Sequence, residues 1–237
     1  MATAVENRAA QLPLGVRLRD EATLENFLAL PALGTVIALL EKQVQADAEP
    51  AIYLYGPPGC GRSHLLQAAC HQLPAGNALY LPLEQFEGVP ADQVLADIEQ
   101  MTLICLDNLD AVAGDADWEQ ALFHLCNRAR ESGARLLFSA SEAPRNLQVQ
   151  LPDLQSRLSW GVVMQLPEPD DEDKLEILRF RAGRRGLQLP PEVARFILGR
   201  SSRSLTDLMA VLEQLDRESL VHQRQLSIPF VKQCMGW

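Results

Sequence analysis

A glycine- and proline-rich turn between a run of strand formers and an apolar helical pattern constrains this chain most. The segment is Ala51-Ile52-Tyr53-Leu54-Tyr55-Gly56-Pro57-Pro58-Gly59-Cys60-Gly61-Arg62-Ser63-His64-Leu65-Leu66. Gly56 and Gly61 are separated by four residues and followed by Arg62-Ser63, which matches the phosphate-binding spacing G-x-x-x-x-G-K-[ST] except at the lysine. Glycines let such a loop curl until its backbone N–H groups converge on phosphate oxygens. The helix that follows aims the positive end of its dipole at the same point. Residues 56–64 are therefore expected to hold a nucleotide, with Ser63 placed to carry Mg²⁺. Arg62 keeps the lysine's charge, but a guanidinium is wide and planar where an ammonium is compact. A phosphate tail can be neutralised, while alignment of its last phosphate for transfer is compromised.

A chain of 237 residues is long enough for a sizeable core and for one large or two small domains. Its formal net charge of −10 argues against a surface that grips nucleic acid throughout. No apolar run approaches the ~20 residues that span a bilayer. Met1 to Ala10 lacks a signal-peptide core, so a cytoplasmic protein without membrane contact is expected. Cys60, Cys70, Cys105, Cys126 and Cys234 include no C-x-x-C pair and read as reduced, packed thiols.

Downstream of the loop, residues 65–73 read as a helix, 77–83 as a second strand and 91–100 as a helix. Met101 to Leu106 is a nearly continuous apolar run closed by Asp107. Such runs mark parallel strands buried on both faces, and a carboxylate at the strand's end suits Mg²⁺. Asn108 follows, where ATPases of this architecture commonly have Glu. An amide orients water but accepts no proton from it at neutral pH, so intrinsic hydrolysis is expected to be slow or absent. A fourth strand, 134–141, ends in hydroxyls, and Ser139 or Ser141 is placed either to sense a terminal phosphate or simply to end the strand. Leu151 to Gly161 starts a short helix with proline at its first turn and leads to a fifth strand, 162–166. By residue type alone, Arg157 in that helix reads as a surface or salt-bridged arginine.

Ahead of the loop, Thr23 suits a helix cap, and Leu33, Val36, Ile37, Leu40 and Val44 recur at helical spacing. Gln11-Leu12-Pro13-Leu14 has alternate apolar anchors on an extended stretch, fit either for a partner's groove or for the domain's own core edge. From Pro167 strands stop. Acids open a helix at Asp170–Lys174, and Arg179, Arg181, Arg184 and Arg185 crowd its end, read as solvated complements to the helix dipole. Two more helices and a short terminal one follow. The expected architecture is an α/β domain, 23–166, with a five-stranded parallel sheet and helices on both faces. It lies between a tail, 1–22, and a small all-α domain, 167–237.

Taken together these motifs resemble the DnaA-related AAA+ family. They are the phosphate loop, the Asp-ended third strand, the serine-ended fourth, the Ser-Arg helix and the helical lid. Gly-Arg-Ser-His-Leu-Leu (61–66), Cys-Leu-Asp-Asn (105–108), Leu-Pro-Asp-Leu-Gln-Ser-Arg-Leu (151–158), Asp-Glu-Asp-Lys-Leu (171–175) and Ile-Pro-Phe-Val-Lys (228–232) narrow the resemblance to the family's regulatory inactivators of the replication initiator DnaA, over residues 11–237. The resemblance implies bound ADP or ATP with Mg²⁺, on Gly56, Pro57, Pro58, Gly59, Cys60, Gly61, Arg62, Ser63, His64, Asp107, Ser141 and the lid residue Arg203, with Ser63 and Asp107 toward the metal. It places Arg203 one turn before Thr206, which stands at the usual sensor-arginine position. Either Arg203 substitutes or the lid couples more weakly to nucleotide. It implies that Gln11, Leu12 and Leu14 dock on the beta-subunit sliding clamp of DNA polymerase III, reaching DNA through the clamp. It makes Arg157 an arginine finger offered in trans to the ATP held by DnaA, and it admits a nucleotide-dependent homo-oligomer. Two other classes stay open. A self-sufficient P-loop kinase or motor needs a base that Asn108 does not supply. A helicase-loader ATPase shares the core, but net acidity argues against tight DNA contact.

Overall fold

The computed structural model describes residues 18–45 and 47–237. Gln11, Leu12 and Leu14 lie outside the described residues. Five strands, β1 (Ala51–Tyr55), β2 (Ala78–Pro82), β3 (Leu103–Asp107), β4 (Arg135–Ala140) and β5 (Val162–Gln165), form one sheet in the order β2-β3-β4-β1-β5. Every pairing is parallel, with Tyr53 of β1 opposite Phe138 of β4 and Val163 of β5. Alternate side chains serve two layers. Tyr53, Ile104, Leu106 and Phe138 pack beneath α4 (Ala116–Ser132). Ile52, Leu54, Leu103, Cys105 and Leu137 pack with α1 (Gly34–Glu41) and α2 (Arg62–His71). Burial of both faces is why the inner strands read as unbroken apolar runs.

Two expected helices are shorter than their periodicity suggests. The stretch 91–100 forms α3 (Ala91–Val94), breaks where Asp97 takes a left-handed φ of 56°, and resumes as a 3-10 turn over Ile98–Gln100. Asp is among the few residues that tolerate this conformation, and Leu95 and Ile98 on either side of the break are both buried. The stretch 33–44 is α1 flanked by 3-10 turns. Thr23 does cap, accepting the Asn26 N–H at 3.3 Å, but over a 3-10 turn at Leu24–Asn26.

After β5 the chain is helical: α6 (Asp171–Arg184), α7 (Pro191–Arg200), α8 (Leu205–His222) and α9 (Ile228–Met235). Asp170 and Asp173 close a reciprocal capping box at the start of α6, which satisfies two orphan N–H groups. Leu178, Ile197, Leu208, Leu212 and Phe230 form a separate core there. Among the described residues no helix is long and apolar enough to cross a membrane. A short helix, α5 (Pro152–Leu158), precedes β5 and packs on α4.

Candidate functional site

The loop leaves the carboxyl end of β1 and enters α2, whose first N–H groups have no intrahelical acceptor. Two glycines are obligatory. Gly61 has φ 99° and lies so close to Phe27 that a Cβ would meet the ring at 2.8 Å; at Gly56 a Cβ would meet the Leu166 carbonyl at 2.3 Å. The lid roofs the loop, since a Cβ at Gly59 would sit 3.7 Å from that of Leu205, the first residue of α8. Arg62, the first residue of α2, is half-buried and keeps a buried Nη1 that has no partner. A buried donor without an acceptor is costly, and phosphate oxygens are the acceptors this site suits. Burial pushes the Cys60 thiol up against the opposing charge of Arg62, so the loop cysteine is a packed thiol.

Asp107 ends β3 on the face covered by α2. It is buried, and each of its oxygens is held: Tyr80 Oη donates to Oδ2 at 2.6 Å, and Ser139 Oγ donates to Oδ1. The Ser139 oxygen also accepts the Asn108 N–H at 3.0 Å. Burial and the Asp107 charge drive the Tyr80 phenol well above its ordinary range, keeping it a donor. Ser139 is therefore the serine that holds the acid. Ser141 gives both its N–H, at 2.8 Å, and its hydroxyl to Asp110. Asn108 itself takes a left-handed φ of 61°.

Residues 19–27 form a strap beside the loop. His64, expected among the nucleotide contacts, uses its side chain here: Nε2 lies 2.8 Å from the Thr23 carbonyl and the ring packs on Phe27 at 5.3 Å. Only its backbone N–H remains for the cradle. Burial, then the charges of Arg181 and Arg19, outweigh that hydrogen bond and lower the imidazole to about 4, so it is neutral at pH 7. From the lid, Arg181 donates to the Asn26 carbonyl at 2.9 Å and to Glu21 at 3.1 Å, and Arg185 reaches Glu21 at 2.8 Å. Arg184 holds Asn26 Oδ1 and Glu25 at 2.9 and 3.2 Å. The reading of these arginines as solvated dipole complements is corrected: Arg181 is only 8% exposed, and the group binds the lid to the strap. Spacing gave no sign of it, because the acceptors are 155 to 164 residues away. Arg203, expected to touch nucleotide, pairs instead with Asp171 at 3.1 Å and is largely exposed.

Arg157 lies away from the cradle, on α5. Its guanidinium sits 5.8 Å from the centre of the Phe123 ring and forms no ion pair or hydrogen bond with the described residues. Asp153, one turn earlier, does not pair with it. Burial pushes the adjoining Cys126 thiol up to about 12, with the Arg157 charge opposing.

A helical lid resting on a phosphate loop at the end of a five-stranded parallel sheet is the arrangement of an AAA+ module, the class this fold defines. A family model described as "Bacterial DnaA ATPAse domain" matches residues 19–165, and one described as "Hda, lid domain" matches residues 171–235. The chain belongs to the DnaA ATPase-domain family and carries the Hda type of lid. Among solved structures it is similar to domain III of the Thermotoga maritima replication initiation protein DnaA, at 22% identity and a TM-score of 0.77, covering 93% of this chain and 98% of that one. It is also similar to AMPPCP-bound DnaA from Aquifex aeolicus, at 20% identity and TM-score 0.70, over 84% of this chain and 66% of that one. The Thermotoga maritima RuvB Holliday junction branch migration motor matches at 15% identity and TM-score 0.62, over 91% of this chain and 71% of that one.

Proposed function

We propose that this protein is a nucleotide-bound regulator of replication initiation that inactivates DnaA by completing its ATPase site in trans. The observation that carries this reading is Arg157, a cation at the end of a short rigid helix, parked on an aromatic face and left without a carboxylate. A guanidinium so held can leave its ring for the charge that develops on a transferred phosphoryl group. Fingers of this kind are worth about 10³–10⁵ in rate.

The protein's own nucleotide has a different role. Arg62 and the unspent N–H groups of the loop and of the first turn of α2 grip a diphosphate or triphosphate tail, and Asn108 supplies no base for cutting it. Asp107 keeps a free lone pair on each oxygen after accepting one hydroxyl. No group of three or more His, Cys, Asp or Glu able to hold a metal occurs among the described residues. Mg²⁺ would therefore be held as it commonly is beside nucleotides, here by Ser63 and Asp107 together with phosphate oxygens. Bound there, it would supply charge neutralisation. Gln11, Leu12 and Leu14 are proposed to seat the protein on the DNA-loaded sliding clamp, which brings Arg157 to DnaA in the cytoplasm.

The test is ATP hydrolysis by DnaA in the presence of clamp-loaded DNA and this protein. Stimulation is expected, with loss on Arg157→Ala and a demand for more protein on Gln11→Ala. Full stimulation by Arg157→Ala overturns the reading.

A further inference from the structure

We infer that Trp160 and Arg130 form a second anchor beside Arg157, which docks on a carboxylate-bearing rim of the partner domain whose nucleotide Arg157 reaches. The inference rests on the trans-acting reading of Arg157 and adds what holds the partner in register.

Three observations carry it. Trp160 is the most exposed Phe, Tyr or Trp among the described residues, at 45%, in a chain with only three tryptophans. The guanidinium of Arg130, from the exposed last turn of α4, lies 4.8 Å over its indole. Arg130, like Arg157, makes no ion pair or hydrogen bond within the described structure, although Glu131 adjoins it and acids outnumber bases 31 to 21 in the chain. Two arginines on neighbouring helices thus each rest on an aromatic ring, with their N–H groups unspent. In a protein so rich in carboxylates, that leaves both cations available for anions brought by another molecule.

The indole is held on a rigid seat. The backbone N–H of Trp160 donates to the Arg157 carbonyl at 3.1 Å, so the two residues share one turn. The next residue, Gly161, runs so close to β1 that a Cβ would lie 2.0 Å from the Ala51 carbonyl. The turn therefore cannot swing outward without breaking the sheet edge. A large, preorganised amphipathic ring with little entropy left to lose is what binding hot spots are made from, and Arg and Trp are the residues most enriched there. Arg130 adds charge to that anchor. Its planar fork matches a carboxylate in two parallel hydrogen bonds, and its stacking on indole holds it partly desolvated until the carboxylate arrives. The partner is accordingly a nucleotide-bearing AAA+ domain of the DnaA type, with acidic side chains flanking its phosphate site.

The experiment separates anchoring from chemistry. Binding of the DnaA ATPase domain, loaded with a non-hydrolysable ATP analogue, is followed by the full-length protein's tryptophan fluorescence, with Trp160→Phe as the reference that isolates Trp160. Stimulated hydrolysis is then titrated with wild type, Arg130→Ala, Arg130→Lys and Trp160→Leu. Docking should change the Trp160 emission. Arg130→Ala and Trp160→Leu should each raise the half-saturating concentration about tenfold while the saturated rate stays near wild type, and Arg130→Lys should fall between. Unchanged half-saturation in both variants with unaltered circular dichroism, or a silent Trp160 on binding, overturns the anchor. A fall in the saturated rate alone also overturns it, because the pair would then merely position Arg157. Full stimulation by Arg157→Ala instead removes the finger reading, and the binding measurement still decides the anchor.

Discussion

Leu151, the residue before the proline that opens α5, donates its N–H to the buried carboxylate of Glu119 at 2.7 Å. The same carboxylate takes the N–H groups of Gln150, at 2.9 Å, and Gly114, at 2.7 Å. One acid in the first turns of α4 thereby fixes both the loop that opens α4 and the loop that delivers α5. Since α5 carries Arg157, Glu119 positions that arginine without touching it. Glu119→Ala would strand three N–H groups in a site only 2% exposed. Each orphaned buried donor costs about 1–3 kcal/mol, with partial relief by water, so a loss of about 3 kcal/mol is expected. For a chain of this size that is a thermal midpoint roughly 10 °C lower. A midpoint within a degree of wild type would show that the carboxylate is dispensable.

Arg157 behaves in the opposite way. Its one contact of note is the Phe123 face, and an exposed cation–π pair is worth about 0.5–1 kcal/mol. Arg157→Ala should therefore leave the denaturant midpoint nearly unchanged while removing most of the stimulation of DnaA. Arg157→Lys should restore little, because an ammonium lacks the planar fork. A large loss of stability in Arg157→Ala would mean that the residue serves its own fold.

The bond between lid and strap is legible as a pH effect. Burial raises the Glu21 carboxyl, but the Arg185 hydrogen bond and the charges of Arg181, Arg185 and Arg19 overcome it, so its net position is below the ordinary carboxylate range. A carboxyl depressed in the folded state contributes stability above its unfolded value and loses it as pH falls through the folded one. The lid contacts should consequently loosen in acid below the normal carboxylate range, seen as lower hydrogen-exchange protection factors, corrected for the intrinsic rate at each pH, in residues 19–27 and in the last turns of α6. Glu21→Gln should show the lower protection already at pH 7. Equal exchange in wild type and variant would rule the latch out.

The contrast between these sites marks what a single sequence discloses. Gly56, Gly61 and Asp107 announced themselves because loop curvature and a strand-end acid impose residue types at fixed local spacing. The buried strands were readable for the same reason, as continuous apolar runs. Glu119, Tyr80 and Arg181 left no such mark. Each acts on a partner about 27 to 160 residues distant, and a distance that the fold closes leaves no period in the chain. His64 and Ser141 show that a motif position does not disclose what its side chain does. Both sit at motif positions, yet their side chains are spent on Thr23 and Asp110. The left-handed turn at Asp97 was unreadable too, since Ala91, Val94, Leu95 and Ile98 keep the spacing of an unbroken helix across it.

His64 gives the sharpest acid-stability test. Neutral Nε2–H donates to the Thr23 carbonyl, and protonation would put a third positive charge beside Arg181 and Arg19 in a buried pocket. With the folded imidazole lowered to about 4 from an ordinary 6.5, the unfolded chain binds the extra proton first as pH drops. Stability is complete above about 6.5 and declines as pH falls toward 4, with a slope of up to ~1.4 kcal/mol per pH unit from this one group. His64→Gln keeps an amide donor at the place of Nε2 and has nothing to titrate. Urea midpoints taken between pH 7 and pH 4.5 should converge or cross for the two proteins, the variant losing less across the window. Parallel curves would mean that His64 titrates as freely in the folded protein as in the unfolded chain, and that the strap does not depend on its neutral form.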